Sequence, residues 1–549
     1  MLRLLFLLPY AVFGATITLT DAEGEKEMKA QEIQEVTLTD KWIMLDEFMA
    51  AVRYDAVIKV VDPFMDDVRQ GRALIDRFLS ENKAVYGVTT GFGENVRFTI
   101  SPDDALELQK RIVRSHSVAV GEPLPEEHVR AIMLQMILNA RRGRTGLREE
   151  TLQALMDFLN KDIYPFVPGE GSVGYLSVEG HIVMALIGEG YVFDDNGEQV
   201  PAADVLKETG IEPVELACKE GLSLLNGTIS VTALAAIALF DAKINMKNIE
   251  ICGALVYEAL RGTVYALDDR IMKAKNHPEA VSAAKALRDM LEGSGIAEHN
   301  KDRKVQDAYV LRAMPQLIGA SMRLVKEAEG VIMEEINGTS DNPELFIDEG
   351  EVRMCGNFDG SYVGSHADML GMSAAIIGNF IHSSINRTVD RNLNDGLPAF
   401  LVADPGLNNG FMIPQYTAAG LEHEIRQLAQ PSTNDSITTC ASQEDPVSFG
   451  YDAAKNAIAA QDKLAQMTAI SYLTSLQAID LLKVMGDPAD GGKPVQKQSP
   501  VLAAVYDYVR ESIPYVDQDR YIYPDIELMT DFVEEGSVVD LVEENGIEL

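Results

Sequence analysis

The sequence predicts a mainly α-helical protein whose core is a bundle of long helices. The strongest indication is the segment 451–485, which contains neither Gly nor Pro and carries apolar side chains at spacings of three and four residues. Segments 229–260, 317–336 and 367–385 have the same periodicity, and their small residues allow helices to approach closely. Several helices of this length pack against one another as a bundle.

The first 230 residues have a different character. Shorter helices are predicted over 102–118, 126–139 and 149–160, with turn-rich loops between them. We therefore predict three parts, and no Pro-, Gly- or Ser-rich linker divides them. They are an N-terminal extension (1–34), a mixed, loop-rich domain (35–230), and a central helical bundle with a C-terminal helical region (231–549).

The charge balance argues against two classes of partner. The 549 residues include 85 Asp and Glu against 47 Lys and Arg, which gives a net charge of −38 at pH 7. Such a negative field repels phosphate backbones and anionic lipids, so we predict binding to neither nucleic acid nor membrane.

Cysteine and histidine usage predicts neither a disulfide framework nor a metal site. The four cysteines lie far apart without a CxxC pair, and the eight histidines show no HExxH or comparable ligand spacing. This usage fits a reducing compartment, so we expect a cytoplasmic protein. The apolar segment 1–15 resembles a short signal-peptide core, which keeps export as the alternative.

A glycine-rich segment surrounds one tyrosine, Tyr86, and is a candidate mobile loop. Residues 85–93 read Val-Tyr-Gly-Val-Thr-Thr-Gly-Phe-Gly, so three glycines follow Tyr86 closely. Such a loop can hinge over a ligand and exclude water. The alternative is an ordinary turn with a surface tyrosine.

A second motif is suited to binding a carboxylate. Residues 306–312 read Gln-Asp-Ala-Tyr-Val-Leu-Arg, and the planar guanidinium of Arg312 matches a carboxylate. Tyr309 lies three residues before Arg312, so on a helix both side chains share one face and can reach one small ligand. The alternative is an ion pair between subunits.

Two further stretches complete a resemblance to a known family. They are Val-Pro-Gly-Glu-Gly-Ser-Val-Gly (167–174) and His-Ile-Val-Met-Ala-Leu-Ile-Gly-Glu-Gly (181–190). With the motifs above they resemble the histidine and aromatic amino-acid ammonia-lyase family, over roughly residues 35–535. In that family an Ala-Ser-Gly tripeptide follows the counterpart of Gly174 and cyclises into an electrophile, 4-methylidene-imidazole-5-one (MIO).

The Ala-Ser-Gly tripeptide is not present in the printed sequence. The match to the family resumes only when three residues are supposed missing between Gly174 and Tyr175. One explanation is a finished MIO that a one-letter sequence cannot write; the other is a true deletion, which would leave an inactive relative. We favour the first because the other site residues of the family are present. Ser294-Gly295, the only other Ser-Gly in the chain, is predicted to be a flexible turn. Tyr175 and Val178 depart from the family, which usually has Asp and Pro there.

The resemblance implies an aspartase/fumarase-like fold of the histidine and phenylalanine ammonia-lyase type, with 35–230 as the MIO-bearing active-site domain. It implies a homotetramer whose active sites are shared between subunits, a small amino-acid substrate and no required metal. Tyr86 would be the base, and a phenol in that role needs a depressed pKa, which we therefore expect. Tyr309 would point toward the MIO, and Arg312 would bind the substrate carboxylate. Asn226 would bind the MIO oxygen or that carboxylate. The remaining implied binding residues are Gln306, Asn357, Phe358 and Met412.

Two places carry the choice of substrate. Ser115-His116 is similar to histidine ammonia-lyases and some tyrosine aminomutases, and Gln443-Glu444 is similar to histidine-specific members. The Glu444 carboxylate can accept an imidazole N–H, whereas an aromatic hydrocarbon ring would leave it buried and unpaired. We therefore predict conversion of L-histidine to urocanate and ammonia. A tyrosine or phenylalanine ammonia-lyase or 2,3-aminomutase with the same MIO chemistry stays open.

Overall fold

The computed structural model describes residues 28–81, 83, 85–87, 90–98 and 100–549, without the side chains of residues 102 and 103. The apolar segment 1–15, and with it the prediction on export, lies outside the described residues. Within the described part of the N-terminal extension, Ala30 is fully buried and the Lys29 ammonium pairs with Asp540 and Glu543 near the other end of the chain.

The fold is mainly α-helical, as predicted. In chain order, the α-helices of the described residues are α1 (Leu45–Arg53), α2 (Asp62–Ser80), α3 (Pro102–His116), α4 (Glu126–Asn139), α5 (Glu149–Asn160), α6 (Ser177–Leu186), α7 (Ala202–Thr209), α8 (Glu220–Ser223), α9 (Ile229–Ala259), α10 (Asp269–Lys275), α11 (Pro278–Leu291), α12 (Gly295–Asn300), α13 (Tyr309–Arg312), α14 (Met314–Ile336), α15 (Ser361–Val389), α16 (Met412–Leu428), α17 (Gly450–Met485), α18 (Pro500–Ser512), α19 (Tyr523–Glu534) and α20 (Ser537–Glu544).

Periodicity located the helices well. Helices α4 and α5 have the predicted bounds, and α17 starts one residue earlier than predicted. Helix α17 ends where Gly486 takes a φ of +78°, a conformation that other residues adopt only with strain. Helix α3 begins after Ser101, whose hydroxyl accepts the Asp104 N–H at 3.2 Å and so satisfies an unpaired donor of the first turn.

One local prediction is wrong. Ser294-Gly295 is a helix start and not a flexible turn: the Ser294 hydroxyl accepts the Ala297 N–H at 3.1 Å and donates to Glu258 at 2.6 Å. Ser294 is buried, so the packing around α12 fixes this dipeptide.

The core is formed by helices α9, α14, α15 and α17, which pack against one another. Helix α9 is long and apolar enough to cross a membrane, yet most of its surface is buried within the protein, as expected for the central helix of a bundle. Several polar side chains inside this core form hydrogen bonds between helices. The Tyr472 hydroxyl donates to the Asn248 carbonyl at 3.1 Å, and the Gln461 amide donates to the Leu370 carbonyl at 3.1 Å.

The strands of the described residues form four two-stranded sheets. β1 (Glu35–Leu38) and β2 (Val57–Val60) are parallel; the antiparallel pairs are β3 (Val120–Pro123) with β4 (Pro168–Glu170), β5 (Tyr191–Phe193) with β6 (Gln199–Pro201), and β7 (Glu344–Phe346) with β8 (Glu351–Arg353). The β3–β4 pair matters for the site. It brings the end of α3, which carries His116, beside the segment that contains Gly174.

A single cluster of buried apolar side chains extends from Ala30 to Val542 and includes residues on both sides of position 230. Helix α9 begins at Ile229 and packs against α4 of the preceding segment. The division at residues 34 and 230 therefore marks a change from short to long helices, and as a division into domains it stays a prediction.

Candidate active site

A cavity of about 630 Å³ lies where loops from separate parts of the chain meet. Helix α3, the glycine-rich loop, the turn after β4 and the segment after α8 form its walls together with loops near residues 342–358 and 439–444. Five of the predicted site residues line it: Tyr86, His116, Asn226, Phe358 and Glu444.

Tyr86 lies in the cavity wall at the start of the glycine-rich loop. Its phenolic oxygen accepts the Gly93 N–H at 2.9 Å, and its ring meets Phe92 edge to face, with centroids 6.1 Å apart. Gly87 adopts a φ of +67°, and an added Cβ there would lie 2.6 Å from a Leu222 methyl. The expectation of a depressed pKa is wrong for this conformation: burial raises the pKa of Tyr86, and only the Gly93 N–H opposes it.

Glu444 is held by two hydroxyl groups. Tyr175 Oη donates to Glu444 Oε2 at 3.2 Å, and Thr439 Oγ1 donates to the same oxygen at 3.0 Å. Thr439 and Glu444 are also joined through the backbone, where the Thr439 N–H donates to the Glu444 carbonyl at 3.0 Å. Both side-chain hydrogen bonds described for Glu444 reach Oε2, which leaves Oε1 for a ligand.

His116 ends helix α3 and presents an acceptor to the cavity. Its Nδ1 lies 2.8 Å from the Ile112 carbonyl, so this nitrogen carries the proton and donates. Burial lowers the pKa of His116, which favours the neutral ring. A neutral ring with Nδ1 protonated has a lone pair on Nε2.

Asn226 is buried and anchored by its amide. Its Nδ2 donates to Asp341 Oδ1 and to the Asn342 carbonyl, both at 3.3 Å. Asp341 in turn pairs with Lys219 at 2.6 Å, and neither of these side chains is exposed. A buried ion pair therefore fixes the wall on which Asn226 lies.

The turn between Gly174 and helix α6 is strained. Leu176 has a φ of +78° and a ψ of −58°, and the Ser177 N–H donates across it to the Tyr175 carbonyl at 3.1 Å. This is a γ-turn of the rare positive-φ type, which costs energy in a residue with a Cβ. The strain lies where the family has three further residues. The turn forms part of the cavity wall, and the amide of Asn226 and the ring of Phe358 line the same cavity, a polar and a flat contact that an MIO group would fit.

Comparison with known proteins decides the family. The family model described as "Aromatic amino acid lyase" matches residues 43–511. The chain belongs to this family.

Its relatives span nearly the whole chain. The histidine ammonia-lyase of Natranaerobius thermophilus is 35% identical over 517 residues, 94% of this chain and 100% of the relative, and histidine ammonia-lyase 1 of Fusobacterium nucleatum is 37% identical, covering 93% and 98%. Among solved structures, tyrosine aminomutase from Streptomyces globisporus has a TM-score of 0.87 at 31% identity, covering 93% and 98%. Histidine ammonia-lyase from Trypanosoma cruzi has a TM-score of 0.85 at 33% identity, covering 93% and 95%. The predicted family and fold class are confirmed.

Not every predicted site residue of this lyase lies at the cavity within one chain. Gln306, Tyr309 and Arg312 are exposed, and the Arg312 guanidinium lies 5.1 Å from the Tyr309 ring centroid. Met412 begins α16 and lines a separate cavity of about 720 Å³. Their roles stay predictions.

Two other predicted residues lie near the site without lining the cavity. Gln443 is exposed and donates at 3.3 Å to Glu94, which does line the cavity. Asn357 directly precedes Phe358 in the chain, and its side-chain amide donates to Glu344. These two roles also stay predictions.

Sequence reasoning missed two residues that contact Glu444. In the sequence Tyr175 is only a departure from the family; in the structure its ring packs edge to face on Phe358, with centroids 5.5 Å apart. Nothing in the sequence marked Thr439. Between Thr439 and Glu444 three consecutive residues, 440 to 442, have positive φ, a conformation that the sequence, which has no glycine there, does not indicate.

The Lys219–Asp341 pair gives a stability prediction. We expect Lys219→Met to lower the free energy of unfolding by about 3–5 kcal/mol, because the change leaves a buried charge without its partner. Denaturant unfolding measures this. Lys273→Met is the matched control, since Lys273 pairs with Asp269 on the surface and its loss should cost at most about 1 kcal/mol. Equal effects of the two changes would show that the buried pair is not important for stability.

A buried carboxyl beside the site gives a pH prediction. Glu179 on α6 is not exposed, its Oε1 accepts the Ser230 N–H at 3.1 Å, and its Oε2 has no hydrogen-bond partner among the described residues. Burial raises the pKa of Glu179 from 4.5 to about 7. The unfolded chain therefore loses this proton near pH 4.5 and the folded chain only near pH 7. Stability contributed by this group falls as pH rises through that window.

We expect Glu179→Gln to stabilise the protein at pH 8 by up to about 3 kcal/mol and to have little effect near pH 4.5, because the amide stays neutral throughout. Thermal unfolding at the two pH values measures the difference. A change that is the same at both pH values would contradict the assignment.

Proposed function

We propose that this chain is an ammonia-lyase that removes ammonia non-oxidatively from L-histidine and forms urocanate. The observation that carries the proposal is the pair of acceptors at one cavity, the Glu444 carboxylate and His116 Nε2. A neutral imidazole offers one N–H to these acceptors and an imidazolium offers two, whereas a phenyl ring offers none and would leave Glu444 Oε1 and His116 Nε2 without a donor. The names of the full-length relatives support the same substrate.

We propose that the electrophile is an MIO formed from an internal Ala-Ser-Gly between Gly174 and Tyr175. When present, this group supplies an acceptor that makes the substrate amine a good leaving group. Asn226 and Phe358 would hold it, one by its amide and the other by ring packing. Asn226 is anchored to the buried Asp341, and Phe358 is braced by the ring of Tyr175, so both supports are fixed.

Tyr86 takes the β-proton of the substrate in this proposal. To do so it must reach the phenolate form, which the Gly93 N–H stabilises by donating to the oxygen. Burial and the nearby Cys440 and Glu444 oppose ionisation. A positive charge brought to the cavity by a second copy of the chain would offset this opposition.

Arg312 is the candidate for that charge, in a homotetramer whose active sites are shared between subunits. Arg312, Tyr309 and Gln306 lie together on an exposed surface, where a guanidinium can reach the cavity of another copy and bind the substrate carboxylate. Met412 would contribute in the same way. Sedimentation of the purified protein tests the tetramer, and mixing Tyr86→Phe with Arg312→Ala subunits tests sharing. Partial recovery of activity in the mixture is expected, and none would contradict it.

A tyrosine or phenylalanine ammonia-lyase or 2,3-aminomutase is the second candidate. His116 Nε2 would also accept a phenolic hydroxyl, and one structural relative is a tyrosine aminomutase. Incubation with histidine, tyrosine and phenylalanine, followed by product absorbance and chromatography, separates the possibilities. Turnover of tyrosine without turnover of histidine would overturn the substrate and keep the reaction class.

The mass of the intact chain tests the electrophile. We expect a mass above the 60.1 kDa of the printed sequence by that of a cyclised Ala-Ser-Gly, with ultraviolet absorption beyond that of its one Trp and 18 Tyr. A mass equal to that of the printed sequence would identify an inactive relative.

We also propose a cytoplasmic location, which four unpaired cysteines favour; recovery of the chain in an exported fraction would contradict it.

A further inference from the structure

We infer that Tyr175 is a positioning residue for Glu444, and that with Thr439 it sets the preference of the cavity for a substrate side chain that donates an N–H. This inference rests on the proposed function. Both hydroxyls donate to the same carboxylate oxygen, at 3.2 and 3.0 Å. Two donors converging on Oε2 restrict rotation of the carboxylate and direct Oε1 to a ligand.

Tyr175 is itself held firmly. Only 5% of it is exposed, and its ring lies at 84° to that of Phe358 with centroids 5.5 Å apart. The position of its hydroxyl is therefore fixed by packing. Burial and the neighbouring Glu444 raise the pKa of Tyr175 well above its usual value, so the phenol keeps the proton that it donates.

Thr439 reaches Glu444 from within the same loop, five residues earlier in the chain. A backbone hydrogen bond between the two residues closes the strained loop 439–444, which places the threonine hydroxyl at the carboxylate. Tyr175 is brought to the same oxygen by the turn after β4. The hydrogen bond from Thr439 is thus local, whereas the hydrogen bond from Tyr175 joins residues that are 269 positions apart in the chain.

The test is a double-mutant cycle on kcat/KM for L-histidine. Tyr175→Phe keeps the ring and removes one donor, and we expect a loss on the order of 10-fold, mainly in KM, because Glu444 binds the ring before and during reaction. In a Glu444→Gln background the same change should cost less than about 2-fold, since the residue through which Tyr175 acts is already altered. Turnover of phenylalanine should fall less than turnover of histidine, because its ring has no N–H for Glu444 to accept.

Matched variants separate this role from a general effect. Thr439→Val removes the other hydroxyl with little change of shape and should behave like Tyr175→Phe. Tyr191→Phe, at a half-exposed tyrosine in β5 outside the cavity, should change nothing. Equal losses from Tyr175→Phe in both backgrounds, or no loss in either, would overturn the inference. If Tyr175→Phe does not fold, as judged by circular dichroism, the Thr439→Val cycle decides.

A second cycle does not depend on activity. The shifts in thermal unfolding midpoint for Tyr175→Phe and Glu444→Gln should be non-additive, because the two side chains share one hydrogen bond. Additive shifts would overturn the coupling. If the wild-type chain does not convert histidine, the proposed function fails, and so does the role of Tyr175 in substrate preference. The thermal unfolding cycle would still decide whether Tyr175 positions Glu444.

Discussion

Tyr86→Phe is expected to lower kcat for L-histidine by about 10²–10⁴-fold and to change KM by no more than a few-fold. The range is the usual contribution of a positioned general base. The substitution removes the oxygen that accepts the Gly93 N–H and keeps the ring that packs on Phe92, so the loop should hold its shape. Steady-state kinetics gives both parameters, and substrate deuterated at the β-carbon shows whether proton removal has become slower.

The pH profile offers a second measure of the same residue. Burial raises the pKa of Tyr86 above its ordinary value of 10 within a single chain, so the phenolate fraction and kcat should rise with pH through the neutral and alkaline range. Tyr86→Phe should lose that dependence. If Tyr86→Phe keeps the wild-type kcat, another group is the base. Tyr191→Phe is the control, because it removes a tyrosine hydroxyl outside the cavity.

Glu444→Gln should reduce kcat/KM for L-histidine by on the order of 100-fold, because a hydrogen bond to a charged group is replaced by one between neutral groups. The amide is close in shape to the carboxylate, so the loop 439–444 should keep its conformation. Amino acids whose rings lack an N–H should be affected far less. Equal losses for histidine, tyrosine and phenylalanine would refute the role of Glu444 in binding the imidazole.

The helices show how far local sequence determines this fold. Segments 126–139 and 149–160 form helices with the predicted bounds because each contains neither Gly nor Pro and begins with two glutamates, which favour the first turn of a helix. Ser294-Gly295 shows the limit of the same reasoning. Locally it is typical of a turn, and it becomes a buried helix cap only because Glu258 of helix α9 accepts its hydroxyl.

The site was predictable in part. Motifs located Tyr86, His116, Asn226, Phe358 and Glu444, and all five line one cavity. The direction of the pKa shift of Tyr86 was not predictable, because it depends on how deeply the loop is buried. The contacts that hold Glu444 were not predictable either, since Tyr175 is distant in the chain and the threonine hydroxyl is placed by backbone conformations unusual for its neighbours.

Helical periodicity and motif identity are properties of neighbouring residues, so they were enough to establish the helical class, the family and five of the residues that line the cavity. Three features follow only from the packed structure: which hydroxyls restrain Glu444, how burial raises the pKa of Tyr86 and of Glu179, and which residues stay outside the cavity of a single chain. These depend on distances and desolvation between segments that only the packed bundle brings together.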